Sequence, residues 1–134
     1  MFNCIDYKFL GCWKDRARRA VPQLDGSDAR IRGNYKRRSN AINKCFAVAR
    51  ARGNRIFAIQ DGGWCAASKN LKGYKRYGPA KNCKNWKGGP WANDVYLILH
   101  PIVHRPPGGG SEWNFISYLF IEVIKKQTLQ TLTI

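Results

Sequence analysis

Aromatic side chains that follow glycine pairs are the most distinctive candidates for binding chemistry in this chain. Trp64 follows one pair in the segment FAIQDGGWC, and Trp91 follows another, after a proline, in GGPWANDVYLI. Glycine pairs permit positive φ angles or a close approach of the backbone to another surface. An indole beside such a turn can pack in the core or stack on a ligand, since its face suits sugar rings and nucleic-acid bases alike. Both roles are possible for these indoles and for Trp13. We favour the structural role for Trp13, Trp64 and Trp91.

A second group of candidates interleaves aromatic and basic side chains between residues 66 and 90. Cationic groups suit sulfate, carboxylate or phosphate, and flat aromatic faces suit the rings that carry those groups. Two further arginines come from the arginine-rich stretch 16–38, which is equally typical of a solvated loop whose charge only aids solubility. The predicted ligand-binding residues are Arg37, Arg38, Tyr74, Lys75, Arg76, Tyr77 and Trp86.

Residues for catalysis or metal binding are scarce. His100 and His104 are four residues apart, but Pro101 disfavours a helix there and no carboxylate or cysteine accompanies them. Asp61 and Asp94 lie near the glycine pairs, where turn-stabilising hydrogen bonds explain them more simply than calcium ligation. No nucleophile–base set is recognisable. We therefore predict a binding protein rather than an enzyme, with no cofactor and no metal.

The composition indicates a small globular domain with an unusual charge. The chain has 134 residues, 44% of them hydrophobic, which suffices for one core. There are 24 lysines and arginines against 8 aspartates and glutamates, a formal net charge of +16. Such an excess attracts polyanions through a long-range field, so nucleic acid, acidic glycan and anionic membrane all qualify as partners.

The elements that must position these residues follow from hydrophobic periodicity. The sequence predicts a strand at residues 7–13 and a loop at residues 14–38. A helix follows, with Ser39 as the expected N-cap and Gly53 as its C-terminal stop. An apolar stripe of helical period defines this helix, namely Ile42, Cys45, Phe46 and Ala49. Residues 55–60 form a second strand, 66–90 a long loop and 91–99 a third strand. One helix packed on a small antiparallel sheet, an α+β fold, is the prediction.

The carboxy-terminal part differs in character from the rest of the chain. It begins with a Pro/Gly-rich linker and continues into an apolar run at residues 115–124 that Glu122 interrupts. This run is too short to cross a bilayer, so we predict no transmembrane segment. The expected organisation is a domain at residues 1–99, followed by a linker and an appended apolar tail at 100–134.

Five cysteines stand at positions 4, 12, 45, 65 and 83, with no Cys-x-x-Cys pair that would indicate a zinc site. Their wide spacing fits the disulfide framework of an extracellular or secreted domain. No signal peptide is visible at residues 1–6, so the chain is either a fragment of a longer secreted protein or a cytosolic protein with reduced thiols. We favour the fragment.

Several short motifs together resemble the WSC-type domain over about residues 7–99. They are GCWKD at 11–15, RAVP at 19–22, the helix with Cys45, FAIQDGGWC at 57–65 and GGPWANDVY at 88–96. The resemblance implies a disulfide-linked extracellular module that binds carbohydrate, with a fold similar to PAN/apple modules. This chain has fewer cysteines than is typical of the family, and arginines crowd positions that are often acidic or neutral there.

The predicted elements also suggest how the cysteines pair. Cys45 lies on the inner stripe of the helix and Cys65 ends the neighbouring strand, so we predict Cys45–Cys65 pairing. Cys12 ends the first strand and Cys83 precedes the last, so these two pair next and leave Cys4 free or bound to a missing partner. The resulting hypothesis is an extracellular glycan-binding module that favours acidic polysaccharide, either a monomer or part of a larger chain. A nucleic-acid-binding protein and a cationic host-defence protein that acts on microbial surfaces are the alternatives.

Overall fold

The structure, a computed structural model, describes residues 5–102 of the chain. Four strands and one helix follow each other as β1 (Tyr7–Lys14), α1 (Ala41–Ala51), β2 (Ile56–Gln60), β3 (Trp64–Ser68) and β4 (Ala92–Ile98). The strands form one sheet in the order β1-β4-β2-β3, and every neighbouring pair is antiparallel. One helix on a small antiparallel sheet confirms the predicted α+β class.

The apolar stripe of α1 lies against the sheet, as its periodicity predicts. Cys45, Val48 and Ala49 are buried, and Phe46 packs partly buried beside them. The predicted N-cap is wrong by one residue: the helix begins after Asn40, which adopts a left-handed conformation with φ 51° and makes no side-chain cap. Asparagine tolerates that conformation better than serine does, because its short amide can bond locally.

Strand β3 was not expected, because residues 66–90 read as a loop. β3 pairs with β2 from Gln60↔Trp64 to Ile56↔Ser68 and is buried except at Ser68. The alternation of apolar and polar residues that reveals a half-exposed strand is absent when both faces of a sheet are covered. The segment WCAAS therefore carries no periodic signal.

Both faces of the sheet bear a core. Along β2, Phe57 and Ile59 point toward α1, while Ile56 and Ala58 point to the opposite side. Within residues 5–102 no α-helix covers that opposite side; side chains from the long loops and their short 3-10 turns cover it instead. These loop-side residues are Val21 and Tyr74, with the partly buried Tyr35 packed against them.

Both predicted disulfides are confirmed. Cys45–Cys65 joins α1 to β3 with both cysteines fully buried. Cys12–Cys83 is partly exposed and ties β1 to the loop before β4, with Cα atoms 6.0 Å apart. In the chain-entropy model the closed loops stabilise the fold by roughly 3 and 4 kcal/mol respectively.

Some predictions fall on residues outside the described range. Cys4, His104 and the apolar run 115–124 lie there, so the boundary near residue 99 and the role of the tail stay predictions. Between residues 5 and 102, the helix lacks the length and apolarity that crossing a membrane requires.

Candidate ligand-binding groove

The two glycine pairs meet at one end of the sheet. The Gly62 N–H donates to the carbonyl of Lys87 at 2.9 Å, which joins the first turn to the second. A Cβ atom on Gly63 would lie 2.3 Å from the carbonyl oxygen of Tyr35, and one on Gly88 would lie 2.2 Å from that of Ile59. Only glycine fits at these two positions, because the backbones are in direct contact.

The tryptophans that follow these turns have different environments. Trp64 is 8% exposed and pairs with Gln60 in the β2–β3 ladder. Trp91 is 53% exposed, which contradicts the structural role predicted for it. It precedes the first residue of β4, outside the ladder, and its φ of 54° is uncommon for a bulky residue.

Arg19 links the two indoles. Its Cζ atom lies 4.3 Å from the ring centroid of Trp64 and 4.9 Å from that of Trp91. Both distances are within the range of cation–π attraction. A cleft of about 330 Å³ opens here, the Trp91 cleft, lined by Arg19, Tyr35, Gln60, Asp61, Trp64, Pro90 and Trp91.

A buried polar network holds Arg19 in place. The side chain of Asp15 is fully buried, and its Oδ2 accepts from Arg19 Nη1 at 2.8 Å and from Gln60 Nε2 at 2.7 Å. Asp15 Oδ1 accepts from the Ala20 N–H at 2.9 Å. Gln60 Nε2 also donates to Asn93 Oδ1 at 2.9 Å. The guanidinium is thus fixed from below while its face stays against the indoles.

A basic groove adjoins the Trp91 cleft and shares Asp61 and Pro90 with it. This lysine groove has a volume of about 360 Å³, and Lys36, Lys84 and Lys87 contribute its cationic side chains. Lys36 Nζ lies 3.4 Å from Asp61 Oδ2. Lys84 and Lys87 form no ion pair with any residue in the range 5–102, so no carboxylate in that range neutralises their charges directly.

A third depression, the Trp86 pocket, follows the lysine groove and shares Asn85 with it. Its volume is about 360 Å³, and its other lining residues are Phe9, Cys12, Cys83, Trp86 and Asp94. The sulfur atoms of Cys12 and Cys83 lie within 4.8 Å of an Asp94 oxygen, but they are bonded to each other and offer no thiolate to a metal.

Asp94 is the buried acid of this pocket. Its Oδ2 accepts the Gly88 N–H at 2.8 Å. Burial raises the pKa of the Asp94 carboxyl, and the hydrogen bond from Gly88 offsets part of that rise. Burial and the nearby Asp94 also raise the pKa of Tyr96. The turn at Gly88 is therefore tied to a carboxyl group that resists ionisation.

The predicted ligand-binding residues do not form one surface. Trp86 is 61% exposed and packs against Phe9 with the rings T-shaped, 4.8 Å apart. Tyr74 is only 7% exposed, and its ring lies T-shaped against Trp13, 5.5 Å away. Tyr74 is thus a core residue on the loop side, and its predicted role as a surface platform is corrected. The basic residues around it, Lys72, Lys75 and Arg76, predicted exposure, but Tyr74 is the buried residue of the 3-10 turn Gly73–Lys75.

Around this turn lies a separate basic surface. Lys75 and Arg76 are exposed, and Lys75 Nζ lies 5.4 Å from the Trp13 ring centroid. Tyr77 is half-buried, its hydroxyl donates to the Arg18 carbonyl, and Arg16 Cζ lies 4.7 Å from its ring centroid. The Tyr77 ring is thereby covered by the protein's own cation. Trp13 takes the structural role predicted for it, partly buried in the loop-side core.

The two predicted arginines, Arg37 and Arg38, also differ in exposure. Arg37 is exposed, as the prediction requires. The side chain of Arg38 is 3% exposed, and its Nη1 donates to Asp25 Oδ1 at 2.5 Å and to the Gly63 carbonyl at 2.8 Å. A buried, paired guanidinium fastens the first glycine turn and is not offered to a ligand, so the predicted binding role of Arg38 is corrected.

Other groove residues were missed by sequence reasoning. The glycine pairs pointed to the right corner of the molecule, but nothing local connected Arg19 or Lys36 to it. The lysines near the second pair carried a usable signal, since Lys87 directly precedes Gly88 and Lys84 lies four residues before it. The missed residues are Arg19, Lys36, Gln60, Lys84 and Lys87.

No protein-family model, curated protein or solved structure matches this chain. The resemblance to WSC-type domains therefore stays a prediction that rests on the motifs around the two glycine pairs and the helix.

Proposed function

We propose that this protein is an extracellular glycan-binding module that favours acidic polysaccharides. The observation that carries the proposal is the exposed indole of Trp91 in a cleft that adjoins the groove of Lys84 and Lys87, two lysines that form no ion pair within residues 5–102. A flat apolar face next to cationic groups matches a sugar ring that bears sulfate or carboxylate substituents.

In this proposal, ligand binding combines stacking on an aromatic ring with attraction between opposite charges. The exposed face of Trp91 stacks on a ring, while Lys84 and Lys87 attract the anionic substituents. Arg19, which Asp15 holds from below, keeps the indole in place and adds positive charge beside the ring. Because the cleft is already formed and the Asp15 carboxylate beneath it accepts three hydrogen bonds, little ordering cost is paid on binding. The net charge of +16 draws polyanions toward the groove.

An extracellular location is supported by the covalent structure. The Cys45–Cys65 disulfide lies at the centre of the core, between helix and sheet. Disulfides of this kind form and persist in oxidising compartments and are rare in the cytosol. The motifs that resemble WSC-type domains favour the same location and a carbohydrate ligand.

The test is titration of heparin into the oxidised protein at about 0.15 M and about 1 M salt, where the Debye length falls from about 8 to 3 Å. We expect Trp91→Ala to weaken binding roughly tenfold or more at both salt concentrations, because stacking is insensitive to screening. Lys84→Ala with Lys87→Ala should instead reduce the salt dependence, since fewer counterions are released.

Lys75→Ala with Arg76→Ala is the matched control, because it removes the same charge from the separate basic surface. If this control weakens binding as much as the Lys84/Lys87 pair does, binding reflects net charge and not the groove. If single-stranded DNA binds more tightly than heparin and depends equally on Trp91, the ligand is nucleic acid and the glycan proposal is wrong.

A further inference from the structure

We infer that the binding groove continues past the lysines to a second ring-binding subsite at Trp86. The ligand would then be an internal stretch of a linear acidic polysaccharide, with Trp91 and Trp86 as platforms and the lysines between them. This inference rests on the proposed function and specifies the shape of the ligand.

Continuity of the surface is the first argument. The Trp91 cleft and the lysine groove share Asp61 and Pro90, and the lysine groove and the Trp86 pocket share Asn85. The three depressions therefore adjoin one another in series, and we interpret them as one path. Each end of that path carries an exposed tryptophan, and its middle carries cationic side chains. A linear chain can follow such a path, whereas a single small sugar would fill only one part.

The second argument is that Trp86 is held in place although its ring is exposed. Its φ of 63° is rare for an aromatic residue, and such conformations persist only where the surroundings enforce them. The Trp86 carbonyl accepts the Tyr96 hydroxyl at 2.5 Å, and Phe9 supports the ring from the side. An immobilised, exposed indole loses little entropy when a ring stacks on it.

Covalent and backbone contacts fix the short segment that carries Trp86. Cys83 at its start is bonded to Cys12 of β1. The Lys84 N–H donates to the Gly88 carbonyl, and the Lys87 N–H donates to the Lys84 carbonyl, both at 3.0 Å. The same compact turn therefore presents both lysines and Trp86, so their relative positions are set before any ligand arrives.

Charge distinguishes the two subsites. The Trp91 end has Arg19 beside its indole, whereas the Trp86 pocket has the carboxyl group of Asp94 among its lining residues. None of the described residues that line the Trp86 pocket is cationic, so nothing there attracts a strongly anionic substituent. The Trp86 subsite thus suits the less charged sugar of an acidic repeat, and the lysines take the charged one.

The test uses size-fractionated heparin oligosaccharides, from disaccharide to decasaccharide, titrated into the oxidised full-length protein. We expect the affinity of the wild-type protein to rise with length until both subsites are filled. Trp86→Ala should lower the affinity for the longest oligosaccharides roughly tenfold, the loss of one stacking contact, and should reduce the rise of affinity with length. Trp91→Ala should weaken binding at every length.

Trp86→Phe guards against a merely structural effect, because it keeps a flat ring at the same position and should retain most of the length dependence. The inference is overturned if Trp86→Ala binds long oligosaccharides as tightly as the wild-type protein does, even though Trp91→Ala weakens them. If no heparin oligosaccharide binds the wild-type protein, both the proposed function and this inference fail. Oligothymidylates of matched charge test a nucleic-acid occupant: tighter binding with the same dependence on Trp86 would replace the glycan.

Discussion

The two glycine corners of this protein use the same local device and reach opposite results. At the first corner, Trp64 enters a paired strand directly after the turn and is covered by Arg19. At the second, Trp91 lies one residue before its strand, at a turn closed by the Gly89↔Ala92 bridge, and remains exposed. Trp64 is the first residue of its strand and is buried, whereas Trp91 lies one residue before its strand and is exposed.

The contacts that stabilise the two corners also differ. The first is fastened by side chains: Arg38 bonds the Gly63 carbonyl, and its partner Asp25 accepts the Cys65 N–H at 3.1 Å. The second is fastened by backbone contact and by Asp94, which accepts the Gly88 N–H. We conclude that the first corner serves stability, and we propose that the second presents the ligand-binding surface. Four sets of substitutions test this comparison, in order of expected effect.

Arg38→Ala should cause the largest loss. It leaves the Asp25 carboxylate nearly buried without its cationic partner, and breaking a buried pair in this way costs about 3–5 kcal/mol. Arg37→Ala removes an exposed arginine next to it and should change the free energy of unfolding by less than about 0.5 kcal/mol. Chemical denaturation of both variants measures the difference. Equal effects would mean that Arg38 does not fasten the first corner.

Trp64→Ala and Trp91→Ala should separate the two corners directly. Truncation of a buried tryptophan costs about 3–5 kcal/mol, and we expect the lower end because Trp64 keeps a slight exposure. Trp91→Ala should cost less than about 1 kcal/mol in stability while weakening heparin binding. Thermal melts alongside heparin titration check both. A stability loss at Trp91 as large as that at Trp64 would contradict the division of roles.

Gly88→Ala should destabilise the second corner by about 3 kcal/mol, because its Cβ would overlap the Ile59 carbonyl. Gly78→Ala is the matched control. Gly78 also has a positive φ, 87°, but a Cβ added to it would meet no atom within 4 Å. Strain alone should cost about 1 kcal/mol there. If the two variants melt at the same temperature, conformational strain and not backbone contact explains the glycine at 88.

Asp94→Asn should have the smallest effect, and it should depend on pH. Burial raises the pKa of Asp94 in the folded protein, so the wild-type protein loses stability as the pH rises through that pKa. An asparagine does not titrate and its oxygen can still accept the Gly88 N–H. The variant should therefore gain stability relative to the wild-type protein as the pH rises above the ordinary aspartate pKa of about 4. Urea denaturation at a series of pH values measures the free energy of unfolding of both proteins. If the difference between the variant and the wild-type protein does not change with pH, Asp94 does not titrate as described.

Local patterns in the sequence predicted several features correctly. The apolar stripe of the helix has a period that only a helix satisfies, and it placed Cys45 on the buried side. The Cys45–Cys65 disulfide was also predicted correctly, although Cys65 lies in β3 and does not end β2 as the prediction required. The helix prediction held because it depends on residues that are close in sequence, where backbone geometry leaves few alternatives.

Exposure at the candidate site was decided by the tertiary structure alone. Tyr74 and Arg38 looked like surface residues because their neighbours are cationic, yet one fills the loop-side core and the other pairs with Asp25. Trp91 looked like a core residue and is exposed. Composition near a residue does not determine which loop folds over it, because burial depends on contacts between segments far apart in the chain. Here residues 15–38 and 69–91 close over the open face of the sheet, and only that closure forms the groove.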